Sequence, residues 1–298
     1  CIERDWRSFS RIGLTIGTGN PGGVFASYGE ALGTVCEGRL SGVRCAAEPT
    51  DASVENLRRV SDGSCDLGFS LGDTASDAVR GEGPFSAPLD VVALARTYDS
   101  FVHLVVRSDS PVRTVAGLRG RRVGVGSDAS GTRVVAERVL LHSGLSRSDI
   151  TASSVPLQAC ADALLDGSLD AFFFVSGFPS RAVRSLSRRT PIRLVSLRKV
   201  AGPMIETYGS VYVAGPVPAS AYDLTEAVDT ISVRNYLVAG RRMPERLAYA
   251  VTRVMFDAQG EIGRLAPQVR QSSIGAAVFT SPLDLHPGAA RFFRERRG

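Results

Sequence analysis

Apolar positions along this chain fall into short runs separated by Gly-, Ser- and Asp-rich turns, and their spacing alternates between strand and helix periods. Arg11–Ile16 (RIGLTI) predicts a first strand that runs into the glycine-rich loop Gly17–Gly23 (GTGNPGG). A helix follows over Val24–Cys36 and a strand over Val43–Ala47. Ser53 is placed to cap a helix through Val54, Leu57 and Val60, which Gly63 ends, and Cys65–Leu71 (CDLGFSL) reads as the next strand. This β-α-β-α-β order implies a parallel sheet covered by helices. Two apolar strands are then expected, Val91–Ala95 and Val102–Val106.

The pattern restarts at Arg122–Val125, which leads into Gly126–Thr132 (GSDASGT), a helix over Val134–Leu141, a strand near Thr151–Val155, a helix over Ala159–Leu165 and a strand over Asp170–Val175. RIGLTIGTGNPGG corresponds to RRVGVGSDASGT, and both halves carry a G-S-x-D turn before an apolar strand, with Gly63 and Gly167 at helix ends suited to positive φ. Two similar α/β lobes are expected. Beyond Val175 the repeat is lost. Ile192–Val195, Val211–Val217 and Ile231–Ala239 read as strands, Glu245–Phe256 as a helix, and the arginine-rich Arg291–Gly298 as the last turn of a helix.

Composition changes this picture little. With 298 residues, 44% hydrophobic and 22% charged, the chain has the make-up of a globular protein of about two domains. The net charge of +5 comes from scattered arginines, Lys199 being the sole lysine, so no nucleic-acid face is expected. The spacing of the five cysteines and three histidines supports no metal site, and no cofactor is expected. Cys1 at the head of the chain suggests a processed bacterial lipoprotein, anchored through a lipid on that residue to the outer face of the cell membrane, with Ile2–Ser10 as a tether. In an oxidising compartment Cys36 and Cys45 are the first candidates for a disulfide; the alternative is four buried free thiols.

The glycine loop formally matches the dinucleotide fingerprint, and Glu48 stands at the end of the second strand, so a dinucleotide-dependent enzyme is a remote alternative. Pro21 argues against it by removing an N–H where a pyrophosphate needs one. GSDASGT has Thr132 where a P-loop has lysine. What both loops offer is capture of an anion: amides and the hydroxyl or amide groups of Thr18, Asn20, Ser127, Ser130 and Thr132 at helix N-termini. Two such loops suit a binding protein that closes a cleft on its ligand.

Six segments in order resemble the TAXI family of solute-binding proteins of tripartite (TRAP) transporters: Ile16–Gly23, TDASVENL from Thr50, GSCDLGFSLGD from Gly63, Tyr98–Leu104, ASGT from Ala129, and Asp170–Pro179. The resemblance implies an α/β, type II periplasmic-binding-protein fold, with two lobes, a ligand cleft and crossing hinge strands. It implies lobe 1 over 11–98 and 228–298, lobe 2 over 99–227, and a tether over 1–10. It implies a non-enzyme that binds a small organic anion, such as a glutamate-like amino acid or another carboxylate, and passes it to a membrane permease. Carried over by position, the ligand-facing residues are Thr18, Gly22, Gly23, Val24, Phe25, Ser53, Val54, Ser70, Asp73, Tyr98, Ser127, Ser130, Gly131, Thr132, Ser176 and Pro179.

The chain departs from the family pattern at Val24-Phe25-Ala26, Asp51-Ala52 and Leu71. Arg133 or Arg96 could pair a carboxylate bidentately, and Asp73 could meet an amine. Two partner classes fit such a cleft: a TRAP permease, or a membrane sensor kinase that reads the loaded protein.

Overall fold

The computed structural model describes residues 5–297. In chain order the elements are β1 (Ser8–Gly17), α1 (Val24–Arg39), β2 (Ser41–Glu48), α2 (Ser53–Asp62), β3 (Leu67–Leu71), α3 (Gly72–Arg80), β4 (Val91–Arg107), β5 (Arg122–Gly124), α4 (Gly131–Leu141), β6 (Thr151–Ser153), α5 (Leu157–Asp166), β7 (Ala171–Ser176), α6 (Arg181–Arg189), β8 (Ile192–Leu194), α7 (Arg198–Tyr208), β9 (Tyr212–Val217), β10 (Val228–Gly240), α8 (Glu245–Asp257), α9 (Gln259–Leu265), α10 (Ile274–Ala277) and α11 (Pro287–Arg297). Among the described residues no helix is long and apolar enough to cross a membrane.

The chain divides into two compact units. Unit 1 comprises Cys1–Gly19, Phe25–Tyr98 and Asn235–Gly298; unit 2 comprises Asn20–Val24 and Asp99–Arg234. In unit 1, β1 lies between β2 and β3 and runs parallel to both. The second half of β10 then pairs antiparallel to β3, with Asn235 opposite Leu71 and Ala239 opposite Leu67. Leu14, Ile16, Leu32, Leu57, Leu67 and Phe69 fill its core.

Unit 2 repeats the arrangement: β5 lies between β6 and β7, parallel to both. The second half of β4 pairs antiparallel with β7, β8 adds to β4, and β9 pairs with the first half of β10. Its core gathers Val105, Leu157, Leu164, Phe172, Val183 and Tyr222. The order β2-β1-β3 in unit 1 is thus the order β6-β5-β7 in unit 2, as the repeated strand–loop–helix pattern implies.

Two expectations are corrected. The strands expected at Val91–Ala95 and Val102–Val106 are one seventeen-residue strand. Thr97, Tyr98 and Ser100 between them are buried and extended, so no turn interrupts the run. Ser53 is not a helix cap: Ala52 occupies that place at φ 81°, and the Ser53 hydroxyl instead accepts the Leu71 N–H at 2.9 Å. The arginine-rich chain end closes a helix as expected: Arg294, Arg296 and Arg297 lie in the last turn of α11, which begins at Pro287 with Phe292 and Phe293 on its buried side.

Candidate functional site

Each unit carries its candidate residues at the carboxyl ends of its central strands, where loops lead into helix N-termini. Ligands of open α/β sheets bind at such places. In unit 1, Thr18 follows β1, and its N–H and Oγ1 both donate to Glu48 O, at 2.9 and 2.8 Å. Ser53 begins α2 with Val54 buried behind it, and the Ser70 hydroxyl donates to Leu71 O at 2.9 Å. Asp73 sits in the first turn of α3, where its carboxylate accepts the Thr74 N–H at 2.7 Å.

An aromatic group adjoins these loops. Phe25 stacks on Phe69 with ring centroids 5.5 Å apart, Tyr28 meets Phe69 edge-on at 5.2 Å, and Tyr98 meets Phe25 and Tyr28 edge-on at 6.2 and 6.1 Å. Tyr98 is 4% exposed, and its hydroxyl is buried without a hydrogen-bond partner. Burial and the neighbouring Tyr28 push its pKa well above the ordinary phenol value, so the hydroxyl is a neutral donor.

The strand ends of unit 1 are held by a residue the sequence reading did not single out. Asn56, fully buried in α2, donates from Nδ2 to Gly17 O, Thr18 O and Phe69 O at 3.1, 2.8 and 2.9 Å. Its Oδ1 accepts from Thr50 Oγ1 at 2.6 Å. One side chain therefore ties the loops after β1 and β2 to β3. A Cβ at Gly17 would lie 2.5 Å from Asn56 Oδ1, so the glycine makes room for the brace. The signal was available: Asn56 lies on the helix face of Ser53 and Val60, a polar residue in an inward stripe.

In unit 2, Ser130 caps α4: its Oγ accepts the Arg133 N–H at 3.1 Å and donates to Ser127 O at 2.7 Å. Gly131 opens the helix, and Thr132 Oγ1 accepts the Val175 N–H at 3.2 Å. Arg133 is bound to Asp128 and, at 3.1 Å, to Glu137, so a ligand carboxylate there would compete with two acids of its own chain. Arg96, on β4 of unit 1, is half-buried. Ser176 ends β7, and Pro179 follows a cis peptide after Phe178.

The segment Asn20–Val24 is bound within unit 2. Asn20 Oδ1 accepts from Leu157 N, at the start of α5, at 3.1 Å and from Ser127 Oγ at 3.3 Å. Gly22 O accepts from Ser180 Oγ and Ala182 N at 3.0 and 3.2 Å. Gly23 N donates to Asn20 O at 3.1 Å, and Val24 N to Ser176 Oγ at 3.4 Å. Gly22 has φ 89°, which favours glycine, and a Cβ there would meet that of Ala182 at 2.8 Å.

Behind this loop His103 is fully buried on β4. Its Nδ1 lies 2.8 Å from Phe101 O and its Nε2 2.7 Å from Tyr222 Oη, which accepts the Ser180 N–H at 2.8 Å. Burial lowers the His103 pKa to about 4, so the ring is neutral, with Nδ1–H donating to the carbonyl and Nε2 accepting from the tyrosine. It positions the start of α6. Glu48, the acid of the formal dinucleotide match, is paired with Arg59 at 2.7 Å. Cys1, the expected lipidation site, lies outside the described residues.

Two units that each place hydroxyl- and glycine-rich loops at the ends of a β-α-β-α-β sheet define the periplasmic solute-binding-protein class of fold, and comparisons with solved structures agree. The chain is similar to the alkanesulfonate-binding protein SsuA from Xanthomonas axonopodis pv. citri bound to MOPS, with 19% identity over 96% of this chain and 84% of that one and a TM-score of 0.51. It is also similar to a TctC solute-binding protein from Polaromonas, with 12% identity over 96% and 98% of the two chains and a TM-score of 0.52. The family model of the NMT1-like family matches residues 16–296, and the chain belongs to that family.

Proposed function

We propose that this protein is an extracytoplasmic solute-binding protein that captures a small organic anion, a glutamate-like amino acid or other carboxylate, and delivers it to a TRAP-type permease. Within the NMT1-like family this is the TAXI reading carried by the six segments from Ile16 to Pro179. In it, Thr18, Phe25, Ser53, Val54, Ser70, Asp73 and Tyr98 of unit 1 and Gly22, Gly23, Val24, Ser127, Ser130, Gly131, Thr132, Ser176 and Pro179 of unit 2 are the ligand-facing residues. Binding rests on amides, hydroxyls and helix dipoles rather than on Arg133, whose charge is already matched. The protein acts by binding and not by catalysis. Similarity to an alkanesulfonate-binding protein adds sulfonates to the anions worth testing.

The observation that carries this reading is the Tyr98 hydroxyl, a buried donor without an acceptor, beside the strand-end loops of unit 1. A polar group left unsatisfied costs stability, about 1–3 kcal/mol, and is retained where it meets something else. Thermal unfolding against amino acids, dicarboxylates, keto acids and alkanesulfonates should give a rise in midpoint with one anionic class, by mass action. Tyr98→Phe should then bind that ligand roughly tenfold more weakly, the worth of one hydrogen bond, while unfolding at an equal or higher temperature without it. Undiminished affinity in Tyr98→Phe would remove the tyrosine from the site; no rise with any anion would remove the anion.

A further inference from the structure

Cys36 and Cys45 are brought together in unit 1 by two separate contacts. Cys36 lies in the last turns of α1 and is 1% exposed; Cys45 lies half-exposed on β2. The neighbour of Cys36, Glu37, accepts the Cys45 backbone N–H at 2.7 Å, which ties that point of β2 to the end of the helix. One turn earlier on the same helix face, a Cβ at Gly33 would lie 3.3 Å from Cys45 Cβ, so the glycine lets the strand approach closely. Cys65 and Cys160 are also buried free thiols, but among the described residues nothing comparable pairs either with another cysteine.

We propose that Cys36 and Cys45 are a dithiol that closes to a disulfide by exchange with a small disulfide or a thiol–disulfide oxidoreductase, with Cys45 as the entry point and Cys36 as the resolving thiol. The two residues differ in the way such a pair requires. Cys45 is reachable from solvent, and the neighbouring Cys36 thiol draws its pKa down. Cys36 is enclosed, and its pKa is raised by the Cys45 thiol and by burial. Cys45 thiolate attacks the incoming R–S–S–R, forming a mixed disulfide and releasing one R–S⁻. Cys36 then gives up its proton and attacks Cys45 Sγ, forming the Cys36–Cys45 bond and expelling the second R–S⁻. The pair loses two electrons, the incoming disulfide gains them, and the two thiol protons leave on two R–SH. Cys65 and Cys160 have pKa values pushed by burial to about 11 and about 12 and do not compete.

The bond would pin the end of α1 to β2 across a short loop, independently of any ligand. The test uses the full chain, oxidised with excess glutathione disulfide, quenched with acid, alkylated in denaturant and digested with trypsin. Cleavage after Arg39, Arg44 and Arg58 puts the two cysteines on separate peptides, 12–39 and 45–58. The expected result is those peptides joined, with the unfolding midpoint raised by roughly 5 °C over the reduced protein. Cys36→Ser should accumulate glutathione on Cys45, and Cys45→Ser should leave Cys36 unmodified. Wild-type protein that retains glutathione on Cys45, that links either residue to a different cysteine, or that leaves both free to alkylate overturns the proposal.

Discussion

A buried histidine shows what one residue can say about this molecule. His103 stands in an apolar strand, fully buried, with its ring nitrogens bonded to Phe101 O and Tyr222 Oη. Its native pKa of about 4 lies below the ordinary 6.5. As pH falls through 6.5 the unfolded chain takes up a proton that the native state refuses until about 4. Stability linked to His103 is therefore complete above pH 6.5 and is lost on acidification toward 4, by roughly 3 kcal/mol at most. Urea titrations at pH 7 and pH 4.5 should show this loss in the wild type and a smaller one in His103→Gln. An equal loss in both proteins would move the acid sensitivity elsewhere. Tyr222, the histidine's partner, was not legible, because Tyr222 and His103 are far apart in sequence and only the packing of unit 2 joins them. Asn20 and the loop serines were legible as a polar group at a helix start, but that Asn20 bonds Leu157 and Ser127 was not.

At the scale of elements, the repeat proved to be a repeat of hydrogen bonds. In unit 1, Thr15 N–H donates to Asp66 Oδ2 at 2.8 Å, and Asp66 N–H returns a bond to Thr15 O at 3.0 Å. In unit 2, Arg122 N–H donates to Asp170 Oδ2 at 2.8 Å, and Asp170 N–H returns to Arg122 O at 2.9 Å. Before each lies the same turn: Ser64 N–H donates to Asp62 and Ser168 N–H to Asp166, both at 2.8 Å, with Gly63 and Gly167 left-handed at φ 87° and 86°. The aspartates bind the third strand of each unit to the first. Asp66→Ala and Asp170→Ala should each cost about 1–2 kcal/mol, and the Asn variants, which keep the acceptor, clearly less. Chemical denaturation measures both; a cost confined to one site would show that the turns look alike without working alike. Glycines, aspartates and apolar runs made these elements readable. The helices α3, α6 and α7 were not readable, and the reasons are physical. α3 buries the unbroken run Gly72–Ala78, whose only apolar side chains are Ala75 and Ala78; α6 buries only Ala182, Val183 and Leu186; α7 contains Pro203.

The whole molecule is one chain threaded through two units, and the threading makes each unit separable on paper. All members of the unit 2 core cluster, from Val105 to Tyr222, lie within Asp99–Arg234, as do the pairings of β7 with β4 and β5, of β6 with β5 and of β9 with β10. Only Asn20–Val24 is supplied from outside that stretch. Unit 1 is interrupted between Tyr98 and Asn235, but Asn235 Nδ2 donates to Tyr98 O at 2.9 Å, so about four residues could join the two ends. We expect 99–234 to fold alone, with native-like circular dichroism and a cooperative but weaker urea transition, because it loses the bonds from Ser180 and Ala182 to Gly22. The complementary chain, with a short glycine–serine link replacing 99–234, should also fold, since β3 keeps both β1 and β10 as partners. If 99–234 stays unfolded while the linked unit 1 folds, β4 and β10 must be continuous to be strands in unit 2. If both stay unfolded, the two cores are one cooperative structure, and the loss of either sheet is the loss of the protein.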